Sequence, residues 1–94
     1  MREEILQVIQ TYLLRVVFVK VAYICWSHEK EGITTTIAIE TRNASYKQFQ
    51  WLYFELVEGL KGREKFDVVH VNTLSDPQVK KRILQEGKLF VQRI

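Results

Sequence analysis

The 94-residue sequence contains a single proline, four glycines and a single cysteine. So little proline and glycine, with no Ser/Gly-rich stretch and no internal period, argues against disordered segments and repeat arrays, and predicts a chain ordered almost end to end. The lone Cys25 cannot close an internal disulfide and stands in an apolar run, so a reducing, cytoplasmic compartment is expected. Long hydrophobic runs are also missing. The longest, Val16 to Trp26, is interrupted by Lys20 and is too short to span a bilayer, so no membrane role is expected. Arg2, Glu3 and Glu4 precede a periodic rather than a continuous apolar pattern, which is not the layout of a signal peptide. Segregated charge is scarce too: 14 basic and 11 acidic residues are interspersed and leave a net charge of +3. Lys80, Lys81 and Arg82, with Lys61, Arg63 and Lys65, form two basic clusters, but no aromatics interleave with them, so a nucleic-acid partner is not expected.

What is present is apolar matter for one core. Hydrophobic residues make up 47% of the chain, enough for a single domain over residues 1–94. Ile5, Val8, Ile9, Tyr12 and Leu13 recur at helical spacing and predict an amphipathic helix from Glu3 to Leu14. Val16 to Trp26 is rich in β-branched and aromatic residues and reads as a central strand, with Ser27 to Gly32 as the turn that follows. Ile33 to Thr41 alternates: Ile33, Thr35, Ile37 and Ile39 on a core face, Thr34, Thr36, Ala38 and Glu40 on a more polar one.

A second helix is expected from a cap at Asn43 or Ser45 to about Leu60, with Tyr46, Phe49, Leu52, Tyr53, Leu56, Val57 and Leu60 inward. Trp51 projects nearly opposite that face, and Phe54 lies beside its boundary. An exposed tryptophan there marks a surface for a partner. The stretch 65–73 predicts a third strand, with Phe66, Val68 and His70 facing one way and Asp67, Val69 and Val71 the other. Asp76 as cap, Pro77 at the first helical position, a stripe of Val79, Ile83 and Leu84, and Gly87 as terminator predict a third helix. Residues 88–94 add a strand or pack back. The order α-β-β-α-β-α describes a small α/β domain, helices packed on a mixed sheet of three or four strands.

The segment Phe66 to Phe90, FDVVHVNTLSDPQVKKRILQEGKLF, together with the element order, resembles the minimal nucleotidyltransferases of the polymerase-β-like superfamily. That resemblance implies a Gly-Ser pair after the first strand, an Asp-x-Asp on the second and one acid on the third. Such a constellation holds paired Mg²⁺ on carboxylates and cradles phosphates on backbone N–H groups beside a small glycine. Here the glycine position is Trp26, followed by Ser27; the Asp-x-Asp positions are Thr36 and Ala38; only the last acid remains, as Asp67. No residue from Gly32 to Ile39 is acidic. A degenerate member without nucleotidyl transfer, and with no cofactor, is the expectation.

Other constellations fall short. Ser27 and His28 are adjacent on a predicted turn with no acid to orient the imidazole, so they do not form a nucleophile pair. Cys25, His28 and His70 lack metal-ligand spacing. The resemblance implies an antitoxin paired with an all-helical HEPN protein in a toxin–antitoxin module, a prokaryotic arrangement. The expected role is protein binding, through Trp51 and Phe54 by the helix-facing argument, with a homodimer through the same face as the simplest variant. The alternative is residual nucleotide and Mg²⁺ binding by Ser27, Glu40 and Asp67.

Overall fold

The structure, a computed structural model, describes residues 3–29, 32–60 and 66–92, for 27–29 the backbone only. The elements run α1 (Glu3–Arg15), β1 (Val19–Glu29), β2 (Gly32–Thr41), α2 (Tyr46–Leu60), β3 (Phe66–His70), a 3-10 turn (Val71–Thr73), α3 (Pro77–Glu86) and β4 (Lys88–Gln92). The four strands form one mixed sheet in the order β3-β2-β1-β4. β1 is antiparallel to both β2 and β4, while β2 and β3 run parallel across the α2 connection. The segment after α3, left open by the sequence, is thus an edge strand.

Two cores flank this sheet. Ile5, Ile9 and Leu13 of α1 and Phe49, Leu52, Leu56 and Leu60 of α2 pack with Val19, Ala22, Ile37, Ile39 and Val91 on one face. Each fully buried Leu or Ile contributes about 2 kcal/mol there. On the other face Ile83 of α3 meets Ala38 and Val71, with Tyr23, Cys25 and Leu74 packed around them. From Thr35 onward the alternation expected for β2 is observed: Thr35 is buried, Ile37 and Ile39 enter the first core and Ala38 the second.

Local chemistry explains the helix starts. Ser45 and Gln48 form a reciprocal cap, Gln48 N–H donating to Ser45 Oγ (3.2 Å) and Ser45 N–H to Gln48 Oε1 (2.8 Å), so Ser45 rather than Asn43 begins α2. Asn43 instead takes a left-handed bend, with φ 54°. Asp76 accepts the Gln78 N–H at 2.9 Å ahead of Pro77.

Four expectations are corrected. Ser27, His28 and Glu29 are not a turn: they continue β1, paired with Thr34, Ile33 and Gly32, and Gly32 sits at φ 129°, which only glycine adopts readily. Tyr46, Tyr53 and Val57 are exposed, so the buried stripe of α2 narrows to Phe49, Leu52, Leu56 and Leu60. Val8 of α1 and Val79 and Leu84 of α3 are exposed as well, leaving Ile83 as the buried side chain of α3. Ile33 is 61% exposed, so the core face of β2 begins only at Thr35. Gly87 does end α3 as expected, at φ −73° without a left-handed turn, and is closely packed there. The basic residues Lys61, Arg63 and Lys65 lie outside the described residues.

Candidate functional site

The strand register brings three of the sequence-derived positions to one face. Thr36 pairs with Cys25 on β1 and with Asp67 on β3, and Ala38 pairs with Val69. Side chains on this face point toward α3, because Ala38 and Ile83 share the second core. A cleft of about 230 Å³ opens between α3 and the sheet, walled by Cys25, Trp26, Thr36, Val69, Val79, Arg82, Ile83 and Glu86. A larger depression of about 510 Å³ runs along α1, around Val8 and Tyr12, and includes none of these positions.

The individual residues differ in what they can do. Asp67 is exposed beside Thr36, whose side chain is half-buried in the cleft wall. Ala38 has no exposure at all, lying beneath Ile83 and Val71. A carboxylate could not occupy that point without displacing α3, because Ala38 is packed against Ile83. Trp26 is 42% exposed at the rim, with the Lys88 ammonium 5.7 Å from its ring centroid, a cation–π contact. Trp26 and Ser27 pair with Thr35 and Thr34, so the stretch is a regular ladder and not a glycine-centred phosphate cradle. The Ser27 and His28 side chains lie outside the described residues. Glu40 forms an ion pair with Lys20 at 3.3 Å. It stands four residues along β2 from Asp67's partner Thr36, about 13 Å of strand, so the two acids do not converge.

The cleft's electrostatics are unreceptive to a dense negative charge. Arg82 is engaged by Glu86 at 3.0 Å. Burial pushes the Cys25 thiol up from its ordinary range, Glu86 adds to the rise and Arg82 opposes it, so the thiol stays protonated. Among the described residues no group of three His, Cys, Asp or Glu could hold a metal ion.

The Asn-Thr after β3 has a structural role. Asn72 Oδ1 accepts the Thr41 N–H and Asn72 Nδ2 donates to the Thr41 carbonyl, both at 2.9 Å, so a side-chain amide extends the parallel ladder past its end. Next to it His70 is buried, stacked on Phe49 with ring centroids 4.3 Å apart. The Thr41 hydroxyl lies 2.8 Å from its Nε2 and the Thr73 hydroxyl 3.2 Å from its Nδ1. Burial lowers its pKa and favours the neutral ring.

The outward face of α2 carries the apolar surface. Trp51 is 54% and Phe54 63% exposed, as their helical phase predicts, and Tyr46, Tyr53 and Val57 are exposed along the flank of the buried stripe. Periodicity alone assigned those three inward because they adjoin the buried stripe. A lone cap at Ser45 sets the helix start but not its roll on the sheet.

The sequence matches no model of a known protein family and no curated protein. Among solved structures, a chain of the crystal structure of the toxin–antitoxin MntA–HepT superposes with a TM-score of 0.61 at 12% identity, covering 93% of this chain and 73% of that one. The likeness is one of fold. The four-stranded mixed sheet with three helices is the small α/β architecture expected from the sequence.

Proposed function

We propose that this domain is a non-catalytic nucleotidyltransferase-fold protein that acts by binding another protein, as the antitoxin of a pair with a HEPN-type helical toxin. The observation that carries the reading is the outward face of α2, where Trp51 and Phe54 stay exposed while the same helix buries four other apolar side chains. Exposed aromatics grouped on one face are the residues that dominate protein interfaces. The opposite side of the sheet supports the non-catalytic half. Thr36 offers a hydroxyl, Ala38 a buried methyl and Trp26 an indole where nucleotidyl transfer needs two carboxylates and a glycine. The likeness to a chain from a toxin–antitoxin structure is consistent with the partner class.

Co-purification with the product of whichever gene lies beside its own tests the reading. The two should co-elute, and the Trp51→Glu/Phe54→Glu variant should lose the partner while keeping its own denaturation midpoint. Calorimetry with ATP and Mg²⁺ should be silent; heat abolished by Asp67→Ala would instead establish residual nucleotide binding.

A further inference from the structure

A small cavity between α1 and α2 leaves two polar groups without partners. It holds about 80 Å³, and its walls include Val8, Ile9, Tyr12, Glu55, Leu56 and Gly59. The Tyr12 hydroxyl is buried with no hydrogen-bond partner, a state that folded chains rarely leave unanswered. Among the described residues the Glu55 carboxylate has no ion-pair partner either. It does act on the phenol: burial first, and Glu55 second, hold the Tyr12 pKa above its ordinary value. Gly59 places the cavity at the C-terminal end of α2, whose last turn carries no basic residue to offset the partial negative charge of its carbonyl groups. Apolar walls with negative potential from a carboxylate, a phenol oxygen and a helix end describe the seat of a cation carried on an aliphatic chain.

We propose that this cavity receives a lysine or arginine side chain of the protein that binds the outward face of α2. Trp51, Glu55 and Gly59 follow one another at intervals of four residues, so the cavity opens on the flank of the Trp51 surface. The incoming methylenes lie along Val8, Ile9 and Leu56, and the charged head donates to the Glu55 carboxylate in a charge-assisted hydrogen bond. No hydrogen bond holds the Tyr12 hydroxyl, so its half-buried ring can turn the oxygen toward the same head. The volume suits the end of one side chain, since it matches two or three water-sized groups of about 30 Å³ each. Gly59 leaves the entrance open: a Cβ there would meet no atom within 4 Å. The proposal rests on the reading of α2 as a protein-binding surface and names the chemistry of the side chain that enters beside Trp51.

Magnetic-resonance titration of the isotope-labelled full chain with acetyl-lysine amide and acetyl-arginine amide tests it, with acetyl-norleucine amide as the neutral control and putrescine as a free diamine. At least one blocked cation should shift the amides of residues 8–12 and 55–59 at millimolar concentration, and the norleucine compound should not. Glu55→Gln should weaken binding about tenfold. Tyr12→Phe should also weaken it while raising the urea midpoint of the free protein, because an unmatched buried hydroxyl is removed. Gly59→Leu has room for its side chain and gains helix propensity, so it should fold at least as stably as the wild type while closing the cavity to the probe. Silence from both blocked cations, equal binding of the norleucine compound, or binding untouched by Gly59→Leu would each overturn the proposal. Putrescine bound more tightly than either blocked cation would assign the cavity to a free amine and overturn it as well. Co-elution with the neighbouring gene's product that survives Gly59→Leu removes the cavity from the interface and leaves the protein-binding reading standing; probe binding with no co-eluting protein does the reverse.

Discussion

The carboxamide of Asn72 engages both backbone groups of Thr41, accepting its N–H and donating to its carbonyl at 2.9 Å each. A side chain on the 3-10 turn thereby holds the end of β2 against the end of β3. Asn72→Ala would leave both part-buried groups unmatched, and should lower stability by about 2 kcal/mol in urea unfolding. Asn72→Asp keeps the acceptor but sets a second oxygen against the Thr41 carbonyl, so it should not rescue.

His70, two residues before Asn72, makes stability depend on pH in a defined direction. Its pKa is lowered in the folded state because the ring is buried. The unfolded chain therefore binds the proton more readily, at the ordinary value of 6.5. The stability contributed by the neutral ring is complete above that pH and is lost as pH falls through the interval down to the folded pKa. Urea midpoints measured at neutral pH and near pH 5 should differ more for the wild type than for His70→Gln.

Gly87 is fixed by packing. A Cβ there would sit 2.5 Å from the Ile83 carbonyl oxygen and 2.9 Å from Cys25 Sγ. Gly87→Ala should cost about 2 kcal/mol, measured by thermal unfolding. Cys25→Ala added to it should recover part of the loss, because only the sulfur contact is relieved.

Ala38 and Thr36 should respond unequally to an introduced acid. Ala38→Asp places a carboxylate in a fully buried site under α3 and should cost about 3 kcal/mol or more. Thr36→Asp, at the half-buried cleft wall, should cost no more than about 1 kcal/mol. Denaturation of the two variants with and without Mg²⁺ decides the matter: a stable Ala38→Asp protein that gains further stability from the metal would show that the face can accept the ion.

The features legible in the sequence are those written in local chemistry. Asp76 followed by Pro77 starts α3, and alternation along Ile33 to Thr41 sorts β2 into two faces, because capping and pleating depend on near neighbours. The positions Thr36, Ala38 and Asp67 follow from a resemblance rather than from local chemistry, and the parallel register sets Thr36 beside Asp67. What escaped depends on distant partners. Ser27 to Glu29 have turn-like composition, yet pairing with Gly32 to Thr34 keeps them in the strand. Tyr46, Tyr53 and Val57 fit the helical period as well as Leu52 does; only the roll of α2 on the sheet decides which of them meets the core. The role of Asn72 was hidden because its partner lies 31 residues away.

β4 carries a consequence for the order in which the molecule assembles. β1 pairs with β2 between near neighbours, Glu29 opposite Gly32, but Ala22 reaches its β4 partner Val91 only after the 68 positions between them have closed into a loop. The register shift beside that pair leaves Phe90 out of step, and its carbonyl accepts Gln10 Nε2 from α1 at 2.9 Å. Loop closure over such a span is entropically slow compared with a hairpin, so the β1–β2 ribbon forms early and β4 docks late. Until it docks, the central strand exposes one hydrogen-bonding edge, and the brief lifetime of that edge sets the interval in which nascent molecules are open to strand exchange.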